Sequence, residues 1–147
     1  IRPLATCTVW LAIDDANVEN GCLRFIKGSH KEKKLKNHNI NDDKNLTLNQ
    51  ELDESEYNEK DAVNLILKRG QISLHDVYLV HGSEANNSSM ARRAITMRFM
   101  PTSSVFDHQM VKDKNLFSKL NASKYQDRKI YHMRGKDISG KNNLTYI

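Results

Sequence analysis

Apolar and β-branched residues gather in short runs separated by turn-forming ones. ATCTVWLAI (Ala5 to Ile13) reads as a strand, DDANVENG (Asp14 to Gly21) as a turn, and CLRFIKGSH as the returning strand. From Lys31 to Asp61 the chain is polar and Asn-rich without a usable period. This predicts a long surface loop, partly mobile, with a short helix near NQELDESEYNEK. Strands are expected again at AVNLILK, at QISLH after the Lys68-Arg69-Gly70 turn, and at DVYLVH. RRAITMRFMP is the last clear strand, stopped by Pro101. Beyond it, residues 102–147 read as a helical or irregular tail, with one short helix at KDKNLFSKLNAS and a turn-rich end, MRGKDISGKNNLTYI. Short strands joined by turn signals indicate a mainly β, antiparallel sandwich or barrel.

Composition narrows the class. A chain of 147 residues with 38% hydrophobic content suits one domain with a modest core. No apolar run approaches the roughly 18 residues of a membrane span, and no signal-peptide pattern opens the chain. A soluble, cytoplasmic protein without a membrane partner is expected. Cys7 and Cys22 read as two reduced thiols, too few for a disulfide framework. The net charge of +5 raises nucleic acid as a partner, but cations and acids interleave everywhere except KEKKLK (Lys31 to Lys36), which reads as a solvated loop. No nucleic-acid partner is expected. The first residue is not methionine and a strand follows almost at once, so the chain is expected to be a piece of a longer protein.

Several motifs compete for a function. GKDISGKN (Gly135 to Asn142) resembles a phosphate-binding loop but has Asn142 where Ser or Thr is required, and the chain ends before a helix can follow. Asn-x-Ser/Thr matches such as those at Asn45, Asn87 and Asn121 are expected by chance in so Asn-rich a chain. His75 and His81 share parity, but six residues of extended chain would separate them by about 20 Å, too far for one ion.

His81 ends an apolar run and precedes Gly82 and Ser83, where a sheet protein presents a side chain at a cavity rim. It is a metal ligand or a structural histidine. Eleven residues on, Arg92 opens a strand whose alternation puts Arg92, Ala94, Thr96 and Arg98 on one face and Arg93, Ile95, Met97 and Phe99 on the other. The small neighbours of Arg92 leave room for an anion that fits its guanidinium fork, such as a carboxylate; a surface ion pair is the alternative.

TVWLAIDDANVENGCLRFIKGSHK followed by GQISLHDVYLVHGSEANNSSMARRAITMRFMP resembles the phytanoyl-CoA dioxygenase family of non-haem iron(II), 2-oxoglutarate-dependent oxygenases. The resemblance covers residues 6 to 31 and 63 to 101. It implies a double-stranded β-helix, a cupin-like jelly-roll incomplete at its N-terminus, with residues 1–147 as the C-terminal part of one oxygenase domain. By the same resemblance His81 is the distal iron ligand, Arg92 grips the far carboxylate of 2-oxoglutarate, Ser83 assists it, and Trp10 stands beside the cosubstrate pocket. Core packing explains Trp10 equally well. Asn20-Gly21 and KGSH match family features too, and are read as a turn and a strand end. His75 reads as structural or pocket-lining.

Such chemistry needs two histidines and one carboxylate on iron. The resemblance places the first pair, His-x-Asp, about fifteen residues before the tryptophan, and only nine residues precede Trp10. His30-Lys31-Glu32 has the spacing but falls in the wrong place. The expectation is therefore an oxygenase acting with iron(II), 2-oxoglutarate and dioxygen on an aliphatic C–H of a small organic molecule or acyl conjugate, whose first two ligands precede Ile1; the 147 residues alone are expected to be inactive. A halogenase of the same fold and a non-catalytic jelly-roll binding module stay open.

Overall fold

The computed structural model describes residues 1–43, 50–108 and 128–147. These form two compact units, one of Cys7–Phe99 and one of Ile1–Thr6 with Met100–Ile147. In the first, the strands are β1 (Cys7–Ala12), β2 (Leu23–Ile26), β3 (His38–Ile40), β4 (Gln50–Leu52), β5 (Ala62–Leu65), β6 (Ile72–Asp76), β7 (His81–Ser83) and β8 (Ala94–Phe99). The second holds β9 (Ile130–His132) and β10 (Leu144–Tyr146).

The Cys7–Phe99 unit is built from two three-stranded antiparallel sheets, in the orders β6-β1-β8 and β5-β2-β7. Alternation along β1 turns Thr8, Trp10 and Ala12 inward. There Trp10 and Ala12 join Ala16, Cys22 and Leu67 in the core, flanked by Leu23 and Leu65 of the other sheet and by Ala94. This is the jelly-roll arrangement of a double-stranded β-helix.

The sequence pattern misplaces one connection. β2 does not return along β1; it lies in the other sheet, between β5 and β7. The connector is held by a part-buried pair of reciprocal Asn contacts. Asn20 accepts from the Asn17 N–H (2.8 Å) while Asn17 accepts from the Asn20 N–H (3.0 Å). Gly21 follows with φ of 73°, and a Cβ there would lie 2.5 Å from the Glu84 carbonyl oxygen, so only glycine admits that approach.

DVYLVH, expected as a strand, is a turn leading into β7. The Asp76 carboxylate accepts from the Tyr78 N–H (2.9 Å), and the Leu79 N–H bonds back to the Asp76 carbonyl (3.1 Å). This is an Asp-initiated turn hidden among apolar residues. Within Lys31–Asp61, β3 and β4 pair antiparallel, and the helix expected near NQELDESEYNEK is instead β4 and two 3-10 turns, Glu54–Glu56 and Glu59–Asp61, capped by Asp53 and Asn58. Two lysines of the run are paired: Lys33 with Asp76, and Lys36 with Glu32 and Glu56.

In the second unit β9 and β10 pair in parallel. The Asp137 carboxylate accepts from Ser139 N–H and Oγ–H and from the Asn142 N–H, and the chain then enters β10 rather than a helix. That closes the phosphate-loop reading. The helix expected at KDKNLFSKLNAS lies outside the described residues. Among the described residues no helix is long and apolar enough to cross a membrane.

Candidate functional site

His81 opens β7 opposite Phe25. Its Nδ1 lies 2.6 Å from the Leu79 carbonyl oxygen. A carbonyl only accepts, so Nδ1 is the donor in this contact, which leaves Nε2 as the nitrogen that a neutral ring would offer a metal. Ser83, two residues on, shares its face and sits opposite Leu23 of the core.

His75 comes from the other sheet, on the inward face of β6, next to Thr8 of β1. The Asp76–Val80 turn folds β7 back, so the two imidazole rings stand 4.9 Å apart at 50°. The expected separation of about 20 Å is overturned, because the chain between them is not extended. Burial, then the His81 and Arg98 charges, push the His75 pKa down to about 4, so its ring is neutral near pH 7. His75 and His81 line an open cavity of about 370 Å³ with Ser73, His30, Leu23, Phe25, Leu65 and Leu79.

The two adjacent arginines have opposite circumstances. Arg93 points outward and its fork is already filled: Nε and Nη2 donate to Asp14 at 2.9 and 2.8 Å. The Arg93 guanidinium in turn holds the Asp14 carboxyl well below its ordinary range. Arg92 is half-buried, and its Nε is buried with no partner. A buried guanidinium N–H that no protein group accepts can take an anion, and a carboxylate suits it. Trp10, 7% exposed, packs in the core and lies between Ser73 and Thr96 on the inward face.

The pattern reading assigned Asn20 and Gly21 only a turn. Their further role is to brace both ends of the segment from Ser83 to Arg92. The Asn20 side-chain amide donates to the Asp15 carbonyl (2.7 Å) and to the Ala91 carbonyl (3.3 Å), immediately before Arg92. Gly21 admits the backbone of Glu84 at the other end. The signal was the Asn-Gly pair itself, but its partners lie some seventy residues away.

For a metal the described residues supply too little. Among them no group of three or more His, Cys, Asp or Glu side chains could hold an ion. Glu32 of the His30-Lys31-Glu32 candidate is tied to Lys36 at 2.8 Å, which lowers its pKa. His81 offers one ligand nitrogen, and the residues described do not complete a centre around it.

The description phytanoyl-CoA dioxygenase belongs to the family model that matches residues 2–94. A phytanoyl-CoA dioxygenase domain-containing protein 1 homolog of Dictyostelium discoideum is 37% identical over 100 residues, covering 67% of this chain and 36% of the relative. The phytanoyl-CoA dioxygenase of Arabidopsis thaliana is 34% identical over 93 residues, 63% of this chain and 32% of that one. This chain thus spans about a third of the length of the curated relatives it matches. Among solved structures, EvdO2 from Micromonospora carbonacea var. aurantiaca complexed with 2-oxoglutarate superposes with a TM-score of 0.56 at 26% identity, over 64% of this chain and 37% of that one. The apo non-heme monooxygenase ThoJ shares the fold, with a TM-score of 0.51 at 24% identity over 67% of this chain and 34% of that one.

Proposed function

This chain belongs to the phytanoyl-CoA dioxygenase family, and we propose that it is the part of an iron(II)- and 2-oxoglutarate-dependent dioxygenase that binds the cosubstrate and supplies the last metal ligand. The observation that carries this is the contrast at Arg92 and Arg93: the inward guanidinium has an unpartnered buried nitrogen, while its outward neighbour is saturated by Asp14. Arg92 binds the far carboxylate of 2-oxoglutarate, Ser83 assists it, and Trp10 walls the pocket. His81 presents Nε2 to the metal, its ring oriented by the Leu79 carbonyl. Leu23, Phe25 and Leu65 give the cavity its apolar wall. Two further ligands, a His-x-Asp pair, come from the remainder of the longer protein.

When bound, iron(II) with 2-oxoglutarate supplies activation of dioxygen coupled to decarboxylation of the cosubstrate to succinate. The substrate is a small organic molecule or acyl conjugate, oxidised at an aliphatic C–H, with hydroxylation as the outcome. The incomplete ligand set among the described residues favours one other reading, a jelly-roll binding module that keeps the arginine pocket without a metal. The residues preceding the matched segment separate the cases: His-x-Asp supports the hydroxylase, His-x-Ala or His-x-Gly a halogenase, and neither ligand the binding module.

The direct test is 2-oxoglutarate affinity of the full-length protein, measured with iron(II) and without dioxygen. Arg92→Ala is expected to weaken it by about 2–5 kcal/mol, roughly 30-fold to a few thousand-fold, and Arg93→Ala to leave it unchanged. Equal effects, or the reverse order, would remove the assignment.

A further inference from the structure

Among the described residues three buried side-chain polar atoms have no hydrogen-bond partner: Thr6 Oγ1, Arg92 Nε and Ser73 Oγ. Buried hydroxyls are normally satisfied, because leaving one bare costs folding free energy. Ser73 lies on β6, facing inward beside Trp10, and lines the cavity that holds His75 and His81.

The register places Ser73 on the way from His81 to Arg92. His75, in contact with His81, stands beside Thr8; Ser73 stands one inward position further, beside Trp10. The next inward position of β1, Ala12, pairs with Ala94, and Arg92 lies two residues beyond that. A dicarboxylate reaching from His81 toward Arg92 would run along this inward face, which Ser73 shares. Its Oγ–H is a donor with nothing to donate to, and carboxylate oxygens are acceptors.

Resting on the cosubstrate reading above, we propose that Ser73 is an additional 2-oxoglutarate-binding residue, whose hydroxyl donates to a carboxylate oxygen of the ligand anchored by Arg92. A carboxylate oxygen there would satisfy a donor that no protein group satisfies.

The experiment uses the full-length protein with iron(II) and no dioxygen. It titrates 2-oxoglutarate by calorimetry and follows thermal unfolding without ligand, for wild type, Ser73→Ala, Ser73→Cys and Arg92→Ala. Ser73→Ala is expected to weaken binding about tenfold, the size of a lost hydrogen bond to a charged acceptor. Ser73→Cys, a weaker donor of similar size, should fall between. The unliganded midpoint of Ser73→Ala should equal or exceed that of wild type. Unchanged affinity in Ser73→Ala beside a large loss in Arg92→Ala overturns this proposal and leaves the arginine anchor standing. Unchanged affinity in both removes the anchor and this proposal together. A midpoint several degrees lower in Ser73→Ala shows that the hydroxyl has an interior partner, and also overturns it.

Discussion

On the β6-β1-β8 sheet, the face turned to the core carries Thr8, Ser73, His75, Thr96 and Arg98 around Trp10, whereas the face turned away carries Val9, Leu11, Ile72, Leu74, Ile95, Met97 and Phe99. Ile72, Leu74, Ile95, Met97 and Phe99 are all between 39% and 64% exposed. An antiparallel sheet with one wet side normally shows the reverse, apolar residues inward and polar ones outward. Of the inward polar groups Thr8 is buried and Ser73 and His75 are half-buried, whereas Thr96 and Arg98 are exposed. They include a buried hydroxyl without a hydrogen-bond partner and a histidine in ring contact with His81, which suits a face that meets a ligand. The outward apolar groups form a continuous patch across three strands, which suits a face that meets protein.

The largest effect expected from this contrast lies on the outer face. Relatives run to about three times the matched length, and the longer protein is expected to cover this patch with its own segments. In the full-length protein Met97→Glu should then place an unpaired carboxylate in a closed interface and cost about 3 kcal/mol in chemical denaturation. Asn39→Glu, on the exposed β3 strand, should change stability by less than about 0.5 kcal/mol. Equally small effects at both positions would show that the outer face stays open to solvent.

A smaller effect belongs to the inner face and follows pH. In the folded chain the His75 pKa is lowered from 6.5 to about 4, mainly by burial. Below about pH 6.5 the unfolded chain takes up a proton on this ring that the folded chain refuses. Stability therefore declines as pH falls through the window from 6.5 to about 4, and nothing is lost above it. In metal-free protein His75→Asn should flatten the decline between pH 7 and pH 5. An identical pH profile in the variant would mean that His75 is solvated.

These contrasts were only partly legible in the residues. Alternation is a local property, so the inward course of Trp10 and Arg92 and the outward course of Arg93 could be read directly from RRAITMRF and TVWLAI. Strand partners are not local. The assignment of β1 and β2 to different sheets depends on Asn20 reaching Ala91 and on Gly21 meeting Glu84. The nearness of His75 and His81 depends on an Asp76 turn that four apolar residues disguise. The parallel partnership of β9 and β10 had no sequence signal, since neither strand alternates clearly. An unsatisfied hydroxyl such as that of Ser73 exists only once its surroundings are known.

The smallest expected effect is the pair that closes the outer side of the arginine strand. Arg93 and Asp14 meet in a two-pronged contact, yet the Arg93 side chain is 72% exposed, so water and salt screen the attraction. The Asp14 carboxyl is held below its ordinary value of 3.8 first by the Arg93 side chain, then by its backbone N–H. A depressed carboxylate stabilises the fold above the unfolded value and loses that contribution as pH falls toward the folded one. Arg93→Ala should therefore lower stability slightly at pH 7 in dilute buffer. The difference should shrink in about 1 M salt, where the screening length is about 3 Å. It should change little between pH 7 and pH 5, because Asp14 remains ionised in both states there, unlike the His75 contribution. A variant that lost 2-oxoglutarate binding as Arg92→Ala is expected to would mean that the outward arginine reaches the pocket after all, and the two faces would no longer divide ligand from surface.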